Sequence, residues 1–159
     1  MNSLKITLMA ILLTFPALAT ERIGRMGVGF TNQLKNDIPA VSFKLQKSKS
    51  FAFGGLLGIN TSDTGGWAAG LKGYRNIFDE PYLTFYAHFM GALINKKTNT
   101  IQDDTGFQFD LGLGTEFSFQ GLQSLGFSVE FGLSMYKIDE FTIETTGSNF
   151  VVAAVHFYL

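Results

Sequence analysis

Residues 107–119 read Phe107-Gln108-Phe109-Asp110-Leu111-Gly112-Leu113-Gly114-Thr115-Glu116-Phe117-Ser118-Phe119. The odd positions are aromatic or aliphatic except Thr115. The even positions are polar, charged or glycine. Successive side chains of a strand point to opposite faces, whereas a helix would mix the two sets around its circumference. This stretch therefore predicts a β-strand with one bulky apolar face and one polar face.

The same period recurs along the chain and predicts strands over 22–30, 40–46, 51–60, 67–78, 82–94, 107–119, 126–137 and 149–159. Of the sixteen Phe that follow residue 19, thirteen fall on the apolar faces of these strands. The opposite faces carry Arg25, Gly27, Ser42, Lys44, Gly54, Lys72, His88, Asp110, Glu116 and Glu130 among others. A closed barrel with large apolar residues outside and small or charged residues inside turns its apolar face to lipid. A soluble ligand-carrying barrel would reverse this sidedness. An open sheet would leave unpaired backbone in hydrocarbon, so closure is required. The predicted fold class is all-β: an eight-stranded antiparallel up-and-down transmembrane β-barrel. Phe53, Phe85, Phe107, Phe109, Phe117, Phe119, Phe131 and Phe157 are expected to face lipid.

Composition agrees. Charged residues make up 16% of the 159 residues, against roughly 25% in typical soluble domains. The chain carries 12 Lys+Arg against 13 Asp+Glu and no Cys. That balance lacks the dense positive footprint of a nucleic-acid binder. The missing Cys excludes disulfide scaffolds, thiolate metal sites and cysteine nucleophiles. Residues 1–19 read as a secretory signal peptide: Lys5 in a short basic start, an apolar run over 6–15, and Ala17-Leu18-Ala19 as a small-x-small cleavage site. The barrel is then expected over residues 20–159.

Connections alternate in length. Lys47 to Ser50, Asp79 to Pro81 and Gln120 to Leu125 are compact, whereas 31–39, 61–66, 95–105 and 138–148 read as longer polar loops. Bacterial outer-membrane barrels keep short turns in the periplasm and long loops outside. Both termini are accordingly expected in the periplasm. One residue sits awkwardly: strand alternation puts Arg75 on the lipid face, which requires snorkelling near the short-turn end or a bulge at Gly73 that flips the register.

The stretch Gly112-Leu113-Gly114-Thr115-Glu116-Phe117, with Ser124-Leu125-Gly126-Phe127-Ser128-Val129-Glu130-Phe131-Gly132, resembles the penultimate hairpin of small bacterial outer-membrane barrels. These are related to the outer-membrane protein A barrel and the opacity-type surface proteins. The C-terminal Val151-Val152-Ala153-Ala154-Val155-His156-Phe157-Tyr158-Leu159 is similar to the final-strand signal read by the barrel assembly machinery, although it ends in Leu159 and not in an aromatic. The resemblance implies an outer-membrane location and contact with outer-membrane lipid and lipopolysaccharide. It also implies recognition by the assembly machinery through strand 149–159. It says little about activity, because such barrels host anchors, adhesins, channels and enzymes.

An eight-stranded lumen is narrow enough for side chains to fill. A turn centred near residue 123 would set Glu116 opposite Glu130, with Arg25 and Lys44 at similar height. A structural four-charge cluster of Arg25, Lys44, Glu116 and Glu130 is therefore expected; separate solvated lumen charges are the alternative. The turn at Asp79 to Pro81 would place Lys72 near His88 as a polar lumen pair. His88 and His156 both lack the Ser two residues on that outer-membrane lipid A deacylases show. Asp103-Asp104 lacks the spaced oxygens of a calcium site. No catalytic, cofactor or metal residue is expected. The expected function is non-enzymatic, in envelope integrity or surface-loop contact, with a plugged lumen. The alternatives are a narrow channel for small or apolar solutes and a lipid-modifying enzyme. The surface partner is left open.

Overall fold

The computed structural model describes residues 22–35, 38–63, 65–99, 102–146 and 151–159. The expected signal segment 1–19 and the first residues of the predicted last strand lie outside them. Nine strands follow in order: β1 (Met26–Thr31), β2 (Ala40–Gln46), β3 (Phe51–Asn60), β4 (Gly66–Glu80), β5 (Leu83–Asn99), β6 (Gln102–Phe117), β7 (Leu125–Lys137), β8 (Phe141–Thr145) and β9 (Val152–Tyr158). Each of β1 to β7 pairs antiparallel with the next. β9 closes the ring by pairing with β7 on one edge and β1 on the other, setting Gly27 opposite Tyr158 and Thr31 opposite Ala154. The result is a closed eight-stave antiparallel barrel.

β8 is not a ninth stave. It pairs with residues 133–137 of β7, whereas β9 pairs with 125–130 of the same strand. The two form one stave in series.

The outward face follows the alternation: Leu71 is 76% exposed, Phe30 68%, Phe157 59%, Phe109 52%, Phe53 51% and Phe131 43%. Phe119 is also exposed, and Phe85, Phe107 and Phe117 are half-buried against neighbouring rings. Phe117 stacks on Phe127 at 5.7 Å, and Phe85 on Phe78 at 5.2 Å. Such cross-strand aromatic pairs lock register on the outer face.

Three expectations about the connections are corrected. Residues 95–99 and 102–105 are not loop: β5 and β6 run on as a ribbon, with Lys96 opposite Asp104. Opposite charges facing across a ladder hold polar strands together without an apolar face. Residues 138–146 are not one long loop either, because β7 turns tightly into β8. Gly73 carries no bulge. The register slips between Asn76 and Phe78 instead, so Arg75 stays on the outer face, level with Phe51 beside the β2–β3 turn. The two-residue turn Pro81-Tyr82 between β4 and β5 holds Tyr82 at φ 107°, a conformation that favours glycine.

Candidate functional site

The interior is where the charged residues meet. Three strands and the segment before β1 aim side chains at Glu116, which is 2% exposed. Lys44 Nζ on β2 donates to Glu116 Oε2 at 2.9 Å. The Tyr158 hydroxyl on β9 donates to both carboxylate oxygens at 2.8 and 2.9 Å. Ser128 Oγ on β7 donates at 3.1 Å. Arg22 adds a guanidinium bridge to Glu116 and a bond to Ser118.

A second knot lies one layer further in. Glu130 on β7 accepts from Lys72 Nζ on β4 and, at 2.8 Å, from the Tyr86 hydroxyl on β5. His88 Nε2 stands 3.7 Å from the same carboxylate. Lys44 Nζ lies over the rings of Tyr74 and Tyr86 at 4.6 and 4.8 Å, which joins the two knots through cation–π contacts.

The third layer is built on Asp110. Ser134 Oγ donates at 2.6 Å, Gln108 Nε2 at 3.0 Å and Gln33 Nε2 at 2.8 Å. Gln33 comes from the connection between β1 and β2, which folds into the barrel. Its side-chain oxygen accepts from Lys72 Nζ at 2.6 Å, and its carbonyl accepts from Gln108 Nε2 at 3.1 Å. Leu34 follows it into an apolar layer of Ala40, Leu56, Ala68, Met90, Ala92 and Ile94. Lys35 then pins the inserted segment to the wall, bonding the Thr145 carbonyl at 3.1 Å and pairing with Glu144 at 2.7 Å. β1 and β2 are only 6 and 7 residues long, short of the ~9–11 of a spanning strand. The inserted segment covers the lumen where the wall is low.

The expected four-charge cluster is therefore rearranged. Lys44 and Glu116 are brought together. Glu130 belongs to a separate knot, because β6 and β7 pair two residues out of the expected register: Glu116 faces Ser128, and Gly114 faces Glu130. Arg25 is not in the lumen. The chain leaves the strand before Met26, turning through Gly24 at φ 79°. Arg22 enters the mouth in its place, while Arg25 donates to the Tyr158 carbonyl at 2.5 Å and the Leu159 carbonyl at 3.4 Å. Lys72 faces Met90 across the ladder, and His88 faces Tyr74. Lys72 and His88 meet only through Glu130. The alternation marks Tyr74, Tyr86 and Tyr158 as inward, but nothing in the sequence marks Arg22 or Gln33 as lumen residues.

Glycines make the space. A Cβ on Gly114 would stand 2.7 Å from Tyr86 Cε2 and 2.8 Å from Glu130 Cγ; one on the outward Gly55 would meet nothing nearer than 3.7 Å. Gly114→Ala is expected to lower stability by about 1–3 kcal/mol, the usual cost of overpacking. Gly55→Ala should leave the unfolding midpoint in detergent micelles unchanged.

The arrangement offers little to a substrate. Ser42 Oγ and His156 Nε2 lie 2.9 Å apart, a nucleophile-and-base pair by type, but His156 Nδ1 has no orienting partner and both residues are buried. No group of three or more potential metal ligands occurs among the described residues. A cavity of 290 Å³ opens at the short-turn end, lined by Arg22, Lys49, Asp79, Glu80 and, from the Glu116 knot, Lys44 and Glu116.

A closed eight-strand barrel with a side-chain-filled lumen defines a fold class seen in the outer-membrane protein A type. Among solved structures, the chain is similar to the N-terminal β-barrel domain of Pseudomonas aeruginosa OprF, with a TM-score of 0.64 and 13% identity, covering 86% of this chain and 98% of that one. At that identity the likeness is one of fold. No family model and no curated protein sequence matches the chain.

Proposed function

We propose that this chain is an outer-membrane β-barrel of a Gram-negative-type bacterium whose lumen is closed, and that its work is non-enzymatic. The observation that carries this reading is the sidedness of the wall. Large apolar side chains stand on the outside, while Lys44, Lys72, Asp110, Glu116 and Glu130 are buried inside with their partners. No helix among the described residues is long and apolar enough to cross a membrane; in this reading the strands, with their apolar outer face, are the crossing elements. The short turns and both termini face the periplasm in this reading. The β5–β6 and β7–β8 ribbons project outward as the surface available to lipopolysaccharide or another cell. β9 supplies the C-terminal strand offered to the assembly machinery.

Fractionation tests the location. The protein should be recovered with outer membranes and shift its mobility on heating in detergent gels; recovery as a soluble periplasmic protein would overturn the assignment. Conductance tests the closed lumen. Three hydrogen-bonded layers and the inserted Gln33-Leu34 segment lie across the path, so purified protein in planar bilayers should give no resolved single-channel steps. Regular steps would replace this reading with the narrow channel. Lipid A of unchanged mass on expression is the expected result against an enzyme.

A further inference from the structure

Several cations of the barrel are engaged. Lys44, Lys72 and Arg22 pair inside the lumen, Lys35 pairs with Glu144, and Arg25 caps the Tyr158 and Leu159 carbonyls. Exposed with no ion-pair partner among the described residues are Lys49, Lys137 and two residues of one outer face, Arg75 and Lys47. The last two are not scattered. Arg75 on β4 is the cross-strand partner of Phe51 on β3. The Lys47 N–H donates to the Phe51 carbonyl at 3.0 Å, and Lys47 continues the outward alternation of Phe43 and Leu45 on β2. The three residues form one row across three staves on the outer wall, in the order Lys47, Phe51, Arg75.

Neighbouring strands are about 4.8 Å apart, so the two cation-bearing backbones stand roughly 10 Å apart. Both side chains are long enough to converge above the Phe51 ring. Phe51 packs edge-to-face on Phe53 at 4.6 Å, and the next outward residues up the wall are Leu45, Gly55, Leu57 and Leu71. The row lies toward the short-turn end of the wall, and on β4 the exposed Ile77 and Phe78 continue beyond Arg75, so the long side chains of Arg75 and Lys47 reach headgroup height by snorkelling. The nearest acids, Asp79 and Glu80, line the cavity inside the mouth together with Lys49. A basic row with aromatic rings on its hydrocarbon side matches a phosphodiester with acyl chains rising from it.

We propose that Arg75 and Lys47 clamp the phosphate of an anionic phospholipid in the leaflet at the short-turn end, with its glycerol and upper acyl carbons against Phe51 and Phe53. The clamp rests on the membrane reading above. Arg75 supplies a planar fork that can hold two phosphate oxygens, and Lys47 a point charge. Two cations against one phosphate favour phosphatidylglycerol over phosphatidylcholine, whose own ammonium would be repelled. Each cation near a bilayer surface contributes an attraction equivalent to roughly fivefold in binding.

Native mass spectrometry of the full barrel in detergent, with equimolar phosphatidylglycerol and phosphatidylcholine, reads the preference. Wild type should retain phosphatidylglycerol about tenfold or more over phosphatidylcholine on the additive arithmetic of two surface cations. Arg75→Gln and Lys47→Gln should each cut the ratio severalfold, and the double variant should bring it near one. Lys137→Gln, at the other end of the barrel, should leave it unchanged. Heat-modified mobility of every variant checks that the barrel is intact. A wild type without preference, or a double variant that keeps it, overturns the clamp. Loss of the adduct to millimolar inorganic phosphate also overturns it, since a bare anion site needs no acyl contact. A protein recovered with outer membranes but lacking the preference loses the clamp alone. A protein absent from membranes loses the envelope reading, which the fractionation reports separately.

Discussion

Glu116→Ala should destabilise the barrel by about 3–5 kcal/mol, the usual cost of removing one partner from a buried ion pair. Lys44 would keep its charge 2% exposed, with only tyrosine rings beside it. The Tyr158 hydroxyl and Ser128 Oγ would lose their acceptor together, each adding an unsatisfied buried group. Arg22 would lose least, because it reaches in from the mouth. Glu116→Gln keeps an acceptor and removes the charge, so its loss should be smaller. Replacing both partners, Lys44→Met with Glu116→Leu, should recover much of the deficit, because apolar groups of similar size avoid the desolvation that the pair must offset. Urea unfolding in micelles, followed by the fluorescence of Trp67, the single Trp of the chain, measures all three variants against wild type. An Ala variant as stable as wild type would mean that water reaches the Glu116 knot freely.

Phe131→Arg should cost about 2–4 kcal/mol when the barrel is folded into lipid bilayers, the penalty for a cation on the lipid face near the midplane. Phe131 is the central residue of β7 (Leu125–Lys137) and points outward. Phe119→Arg, outward but at the short-turn rim, should cost about 0–1 kcal/mol on the same depth dependence. The difference between the two is the informative quantity, since both replace an exposed phenylalanine of the same chain. In a soluble barrel both positions would meet water and neither arginine would be penalised. Equal and negligible costs would therefore remove lipid from the outer face.

The same two positions show how much could be read from the residues. Phe119 and Phe131 are assigned to the outer face by parity alone, as are Glu116 and Glu130 to the inner one. Parity is legible because the pleat alternates side chains by local geometry. The upper ribbons were not legible for the complementary reason: residues 95–105 are polar on both faces, so no alternation appears. Lys96 and Asp104 come opposite one another only once the hairpin has formed. Gln33 is a single amide in a polar connection, and its place between Lys72 and Asp110 follows from a low wall at β1 and β2.

Which face each residue takes was thus determined by the sequence itself, since it depends only on neighbours one and two positions away. Which cation meets which carboxylate was decided by the closed barrel. A two-residue difference in β6–β7 register moves Glu130 away from Glu116 without changing the face of either. Ending β1 at Met26 exchanges Arg25 for Arg22 in the lumen. Both depend on pairings between strands far apart in the chain, where closure of the ring selects one register among several that the local pattern allows.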